Sequence, residues 1–190
     1  APSRSGLSTL TETKPASPKN TPHTGMVVTV DIDGAGIHPP NKIDVGRRLA
    51  LWALAKDYGQ DVIYCGPLYR SSVVKNGAVH VTFDHVGSGL RTHDGSGPGR
   101  FEIAGEDKVW HWADATITGT DTVKVSSKQV ASPVAVRYAW AANPEGANLV
   151  NSAGLPASVF RTDTWDDVEV KVDPALQQRR ALAIEIKALA

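Results

Sequence analysis

The chain has 190 residues, with 20 Lys+Arg against 20 Asp+Glu and 41% hydrophobic residues, enough apolar material for one sizeable core. A formal charge of zero lacks the basic surface that a polyanion requires, so nucleic acid is not an expected partner. No stretch approaches the ~18 apolar residues of a membrane span. The single cysteine, Cys65, excludes an internal disulfide and a Cys-based metal cluster.

Residues 1–25 are rich in Ser, Thr and Pro, with Leu7 and Leu10 as the only large apolar side chains. Such a segment buries too little to offset its ordering entropy and reads as a leader. The chain opens at Ala1 without a charged-then-apolar signal. Residues 26–30, Met-Val-Val-Thr-Val, read as a buried strand of the kind found in parallel sheets. A Gly-containing loop carrying Asp31, Asp33 and His38 follows, then a helix over 42–58. Asn41 is placed to cap that helix, with Asp44 three residues on. Val45, Leu49 and Trp52 recur at helical spacing, and Gly59 offers the left-handed stop. This strand–loop–helix unit, 26–59, places its loop where open α/β sheets gather ligands.

From residue 60 to 165 the pattern turns to period two with frequent turns. Strands are expected at 62–65, 71–75, 78–83, 101–104, 109–112, 115–118, 122–126 and 134–139, which together indicate an antiparallel sandwich. Asn76-Gly77 is a hairpin signal, because both residues tolerate the positive φ of a type I′ turn. Residues 166–190 read as one more strand (167–172) and an Ala/Leu-rich packing helix (174–190). The expected fold class is α+β.

His38 is the leading candidate for chemistry. A histidine on a loop beyond a buried strand suits general-base work on a hydroxyl; the same spacing also fits a turn with a hydrogen-bonding histidine. Asp84-His85 and His93-Asp94 carry metal-ligand chemistry, but nothing in the spacing brings them together, so no metal is expected. Trp110 and Trp112 share a strand face. Their simplest reading is packing inside the sandwich; the alternative is indoles exposed for stacking on sugar rings. Cys65 reads as a small buried residue.

The blocks Ile37-His38-Pro39-Pro40-Asn41-Lys42, Val45-Gly46-Arg47-Arg48-Leu49-Ala50, Tyr64-Cys65-Gly66-Pro67-Leu68-Tyr69 and Phe83-Asp84-His85-Val86-Gly87 resemble the sialate O-acetylesterase family of SGNH (GDSL-like) hydrolases. The likeness runs on through Phe101-Glu102-Ile103-Ala104-Gly105, Pro133-Val134-Ala135-Val136-Arg137-Tyr138 and Gly154-Leu155-Pro156-Ala157-Ser158. The resemblance implies an O-deacetylase acting on an acetylated carbohydrate through a Ser/His/acid triad, with no cofactor. His38 matches the family's catalytic histidine. The family's relatives commonly carry an acid two residues before it, where this chain has Gly36, so Asp33, or else Asp31, takes that role. The family's nucleophilic serine sits in a Gly-Asp/Gln-Ser block upstream, and no such block stands in these residues.

The resemblance therefore implies a C-terminal portion of the esterase. Residues 26–59 would be a remnant of the SGNH flavodoxin-like sheet, packed on the β-sandwich, with little or no activity alone. Its expected partners are an acetylated carbohydrate and either a second copy or the upstream portion of the same enzyme. The implied location is secreted or periplasmic. The alternative, from a different class, is a non-catalytic sandwich that binds carbohydrate or docks on a partner.

Overall fold

A computed structural model describes residues 24–32, 41–141 and 144–165. Asp33, His38, the leader up to residue 23 and the expected strand and helix in 166–190 lie outside the described residues.

The helix forms where the sequence places it, as α1 over Lys42–Lys56. Asn41 caps it: its Oδ1 accepts the Asp44 N–H at 3.1 Å, and its amide donates to the Asp44 carboxylate at 2.6 Å. At the other end Gln60 N–H closes on the Leu54 carbonyl at 2.9 Å while Gly59 adopts φ 65°. The left-handed stop is therefore used, and the helix ends two residues earlier than expected.

Then come β1 (Leu68–Lys75), β2 (Ala78–Asp84), β3 (Arg91–Thr92), β4 (Phe101–Ala104) and β5 (Trp110–Trp112). They are followed by β6 (Asp114–Ile117), β7 (Thr122–Ser126), β8 (Ala135–Tyr138), β9 (Leu149–Val150) and β10 (Phe160–Arg161). One sheet has the order β1-β2-β7-β6 and the other β10-β8-β4-β5, with β3 and β9 as a small separate pair. All pairings are antiparallel. Asn76 and Gly77 turn β1 into β2 with φ of 52° and 70°, the type I′ geometry.

The two sheets face each other across Val79, Val81, Phe83, Val123 and Val125 from one side and Phe101, Ile103, Val136, Tyr138 and Phe160 from the other. Phe160 packs against Tyr69, Phe83, Phe101 and Tyr138, with ring centroids 4.8 to 6.4 Å apart, and so joins both sheets. Burial pushes the Tyr138 hydroxyl pKa up, and the neutral phenol accepts the Leu149 N–H at 3.2 Å.

Four expectations need correction. Residues 26–30 pair with no strand among the described residues and lead into a turn closed by Ile32 N–H on the Thr29 carbonyl, 3.1 Å. A parallel strand needs neighbours, and the described residues supply none beside it. Residues 62–65 likewise form no strand, serving as a connector between α1 and β1. The helix buries Arg48 rather than the Leu49 edge: Leu49 is 50% and Ile43 83% exposed. Among the described residues no strand packs along it; it docks through Trp52 edge-on to Tyr64, 4.8 Å, which in turn meets His85 at 5.6 Å. Finally, the tryptophans of β5 lie outside the core. The Glu102↔Trp112 and Ala104↔Trp110 pairings put both on the sheet face opposite Phe101 and Ile103.

A small ionic cluster ties the β1–β2 sheet to the β6–β7 turn. Arg70 reaches Asp121 at 2.7 Å and Asp84 at 3.4 Å, and Thr122 donates to Asp121 at 2.8 Å. The Thr122 hydroxyl first, and Arg70 second, hold the Asp121 carboxyl below its usual range. A depressed folded-state pKa adds stability that is present above the unfolded value, about 4, and is lost as pH falls through the lower folded value. Asp121→Asn should therefore lower stability at neutral pH and flatten the loss on acidification. Denaturant titrations at neutral pH and at about pH 3 check this; equal loss on acidification in both proteins would contradict it.

Candidate functional site

A cleft of about 540 Å³ lies between α1, the 24–32 segment and the sandwich loops, a volume suited to a small ligand. The polar wall has Asp31, Asp44, Arg47 and Arg48; the apolar lining comes from Leu51, Val62, Ile63 and residues 153–155.

Arg48 organises the polar wall. Val45, Arg48 and Trp52 share one helix face by spacing, and Arg48 turns inward to 8% exposure. Its guanidinium grips Asp31 bidentately at 2.7 and 2.6 Å and donates to the Val28 carbonyl at 2.6 Å. The planar fork matches a carboxylate in a way lysine would not. This fastens the 24–32 segment to α1 without any sheet. Residues 33–40 connect Ile32 to Asn41 in sequence, and Asp31 and Asp44, on either side of them, both line the cleft.

The apolar wall is built by Asn151, which is fully buried. Its amide donates to the carbonyls of Cys65 and His85, each at 2.9 Å. Its Oδ1 accepts the N–H groups of Ala153, 3.1 Å, and Leu155, 3.0 Å. One side chain thus joins the connector, the loop after β2 and the cleft-lining loop, with every donor and acceptor used. Gly66 allows the close approach: a Cβ there would stand 1.9 Å from the Pro156 carbonyl oxygen. Asn148 does similar work one turn away, taking the Gly99 N–H at 2.9 Å and donating to Asp94 at 3.0 Å.

Of the sequence-based site residues, Asp33 and His38 lie outside the described residues. Asp31, the other candidate acid, is placed: both its oxygens take guanidinium hydrogens from Arg48. Asp84 pairs with Arg70, and Asp94, held below its usual pKa chiefly by Ser96, closes the 94–97 loop. Their carboxylates serve the sandwich, and among the described residues no three His, Cys, Asp or Glu side chains converge as a metal site. Cys65 is buried within the connector.

Arg48 and Asn151 escaped the sequence reading. Arg48 had a signal, a charge centred on an otherwise apolar helix face. Asn151 had a weaker one, an Asn two residues before a loop N–H it can accept in an Asx turn.

Asn151→Ala should destabilise the sandwich by at least about 3 kcal/mol, because it strands several buried backbone groups at once. Urea denaturation of the chain measures this; a loss below about 1 kcal/mol would show that the loops hold without the amide.

No family model and no curated protein matches the chain. Among solved structures it is similar to XAC1771 of Xanthomonas citri, described as a novel carbohydrate acetylesterase, at 46% identity and a TM-score of 0.68. The match covers 71% of this chain and 31% of that one, so the chain spans about a third of the neighbour's length. At this level of identity, the finding supports a relationship to carbohydrate esterases.

Proposed function

We infer that this chain forms part of a carbohydrate acetylesterase that removes acetyl groups from sugar hydroxyls. The observation that carries the reading is the 46% identity to a carbohydrate acetylesterase over 71% of the chain. The block resemblance narrows it to the sialate O-acetylesterase type of SGNH hydrolase, secreted or periplasmic. The cleft chemistry agrees with an acetylated sugar, since a polar wall offers hydrogen bonds to ring hydroxyls while Ile63 and Leu155 can face an acetyl methyl.

In this reading His38 is the general base. It takes the proton of a serine hydroxyl as that oxygen bonds to the acetyl carbonyl carbon, then returns the proton to the departing sugar oxygen as the C–O bond breaks. Water, activated by the same imidazole, releases acetate from the acetyl-serine. Asp33 is the acid that orients the imidazole, a choice favoured by the engagement of Asp31 with Arg48. The serine and the oxyanion donors belong to polypeptide outside this sequence, so the 190 residues alone should show little esterase activity.

The test uses a protein in which these residues are joined to a polypeptide that supplies the Gly-Asp/Gln-Ser block. His38→Ala should lower acetate release from an acetylated sugar by about a thousandfold or more while leaving the fold intact by circular dichroism. Asp33→Asn should cost less than His38→Ala but more than Asp31→Asn once folding is matched. Unchanged turnover in His38→Ala would overturn the assignment.

A further inference from the structure

The outer face of the β10-β8-β4-β5 sheet is lined by an alternation of indoles and cations that the esterase reading does not use. Arg161, Arg137, Glu102 and Trp112 follow one another across the strands in register. The Arg137 guanidinium lies 4.2 Å from the Trp110 ring centre, and Trp165 packs on Trp110 at 5.5 Å. Arg100 sits 5.3 Å from the Trp112 ring and Arg161 5.1 Å from Trp140. These are planar groups laid against planar groups, a geometry that fixes the orientation of the indoles.

Two of them remain open. Trp112 is 58% and Trp140 37% exposed, on a face otherwise filled by charged side chains. Two of the guanidiniums are paired internally, Arg137 forking onto Glu102 at 2.8 and 2.9 Å and Arg161 onto Asp163, while Arg100 donates to the Glu145 carbonyl. An exposed indole set among paired, hydrogen-bonding planar groups offers an apolar plate with polar flanks. That combination is poorly suited to lipid, which wants a continuous apolar patch, and to a polyanion, which wants unpaired cations. It suits a ligand with apolar C–H faces and hydroxyl edges and no net charge.

We propose that this face, centred on Trp112 with Arg100 and Glu102 beside it, is a binding platform for neutral polysaccharide, separate from the cleft beside α1. A pyranose ring stacks on the Trp112 indole, and its hydroxyls bond to the Glu102 carboxylate and the Arg100 guanidinium. The proposal stands whether or not the chain takes part in ester hydrolysis.

Affinity electrophoresis of the 190-residue chain through gels containing hydroxyethylcellulose, arabinoxylan, galactomannan or polygalacturonate tests it. At least one of the three neutral polymers should retard the chain. Trp112→Ala should weaken that retardation about tenfold with an unchanged thermal midpoint, Trp112→Phe should restore part of it, and His38→Ala should leave it untouched. Retardation by polygalacturonate alone, or by none of the polymers, would overturn the proposal. So would retardation indifferent to Trp112, or a concentration-dependent dimer that Trp112→Ala abolishes in a chain that ignores all four polymers.

Discussion

The side-chain amide of Asn151 sets the relation between the parts of this protein. A β-sandwich closes its own core through Val, Ile and Phe contacts, but those contacts are non-directional and say nothing about where a peripheral loop must lie. Four hydrogen bonds from one buried amide do. They hold the connector at Cys65, the loop at His85 and the turn through Ala153 and Leu155 in a single arrangement. With that arrangement fixed, Tyr64 stands where Trp52 can meet it, α1 comes to rest beside the 153–155 loop, and a cleft exists between them.

The other half of the cleft depends on a second directional contact of the same kind. Arg48 reaches into the space an apolar side chain would fill and uses its fork on Asp31 and Val28. Removing one member would leave the other charge buried without its partner, which is why such pairs resist change even when their net stabilisation is small. The sandwich supplies an apolar wall and the helical unit a polar one. The sandwich thereby contributes directly to the shape of the cavity proposed to receive the sugar ester.

The sandwich strands were legible because their signals are local. Alternation in 78–83, 101–104 and 122–126, with Asn76-Gly77 between two runs, leaves little freedom in register. β3, β9 and β10 were not legible, being two-residue pairings that exist only because tertiary contacts bring distant loops together. Residues 26–30 and 62–65 show the converse: β-branched runs whose propensity favours strands, but which find no ladder partner among the described residues. Trp110 and Trp112 were read correctly as sharing one face, and the preferred face was the wrong one, because period two does not say which side of a sheet is inside. For the site, His38 is reached from its place on the loop after residues 26–30 and from the family resemblance, whereas the residues that shape the cleft walls act through backbone groups far away in sequence, 66 residues from Asn151 to His85.

The space between α1 and the 151–157 loop is where an acetylated sugar is proposed to sit. The direct measurement is an amide NMR titration of the isotope-labelled chain with a singly acetylated methyl glycoside, small enough to report one subsite. Shift changes should saturate together at Arg47, Arg48, Ile63 and Gly154 and be absent in Asn151→Ala. Saturable changes confined to other parts of the chain, with those four amides unmoved, would contradict it.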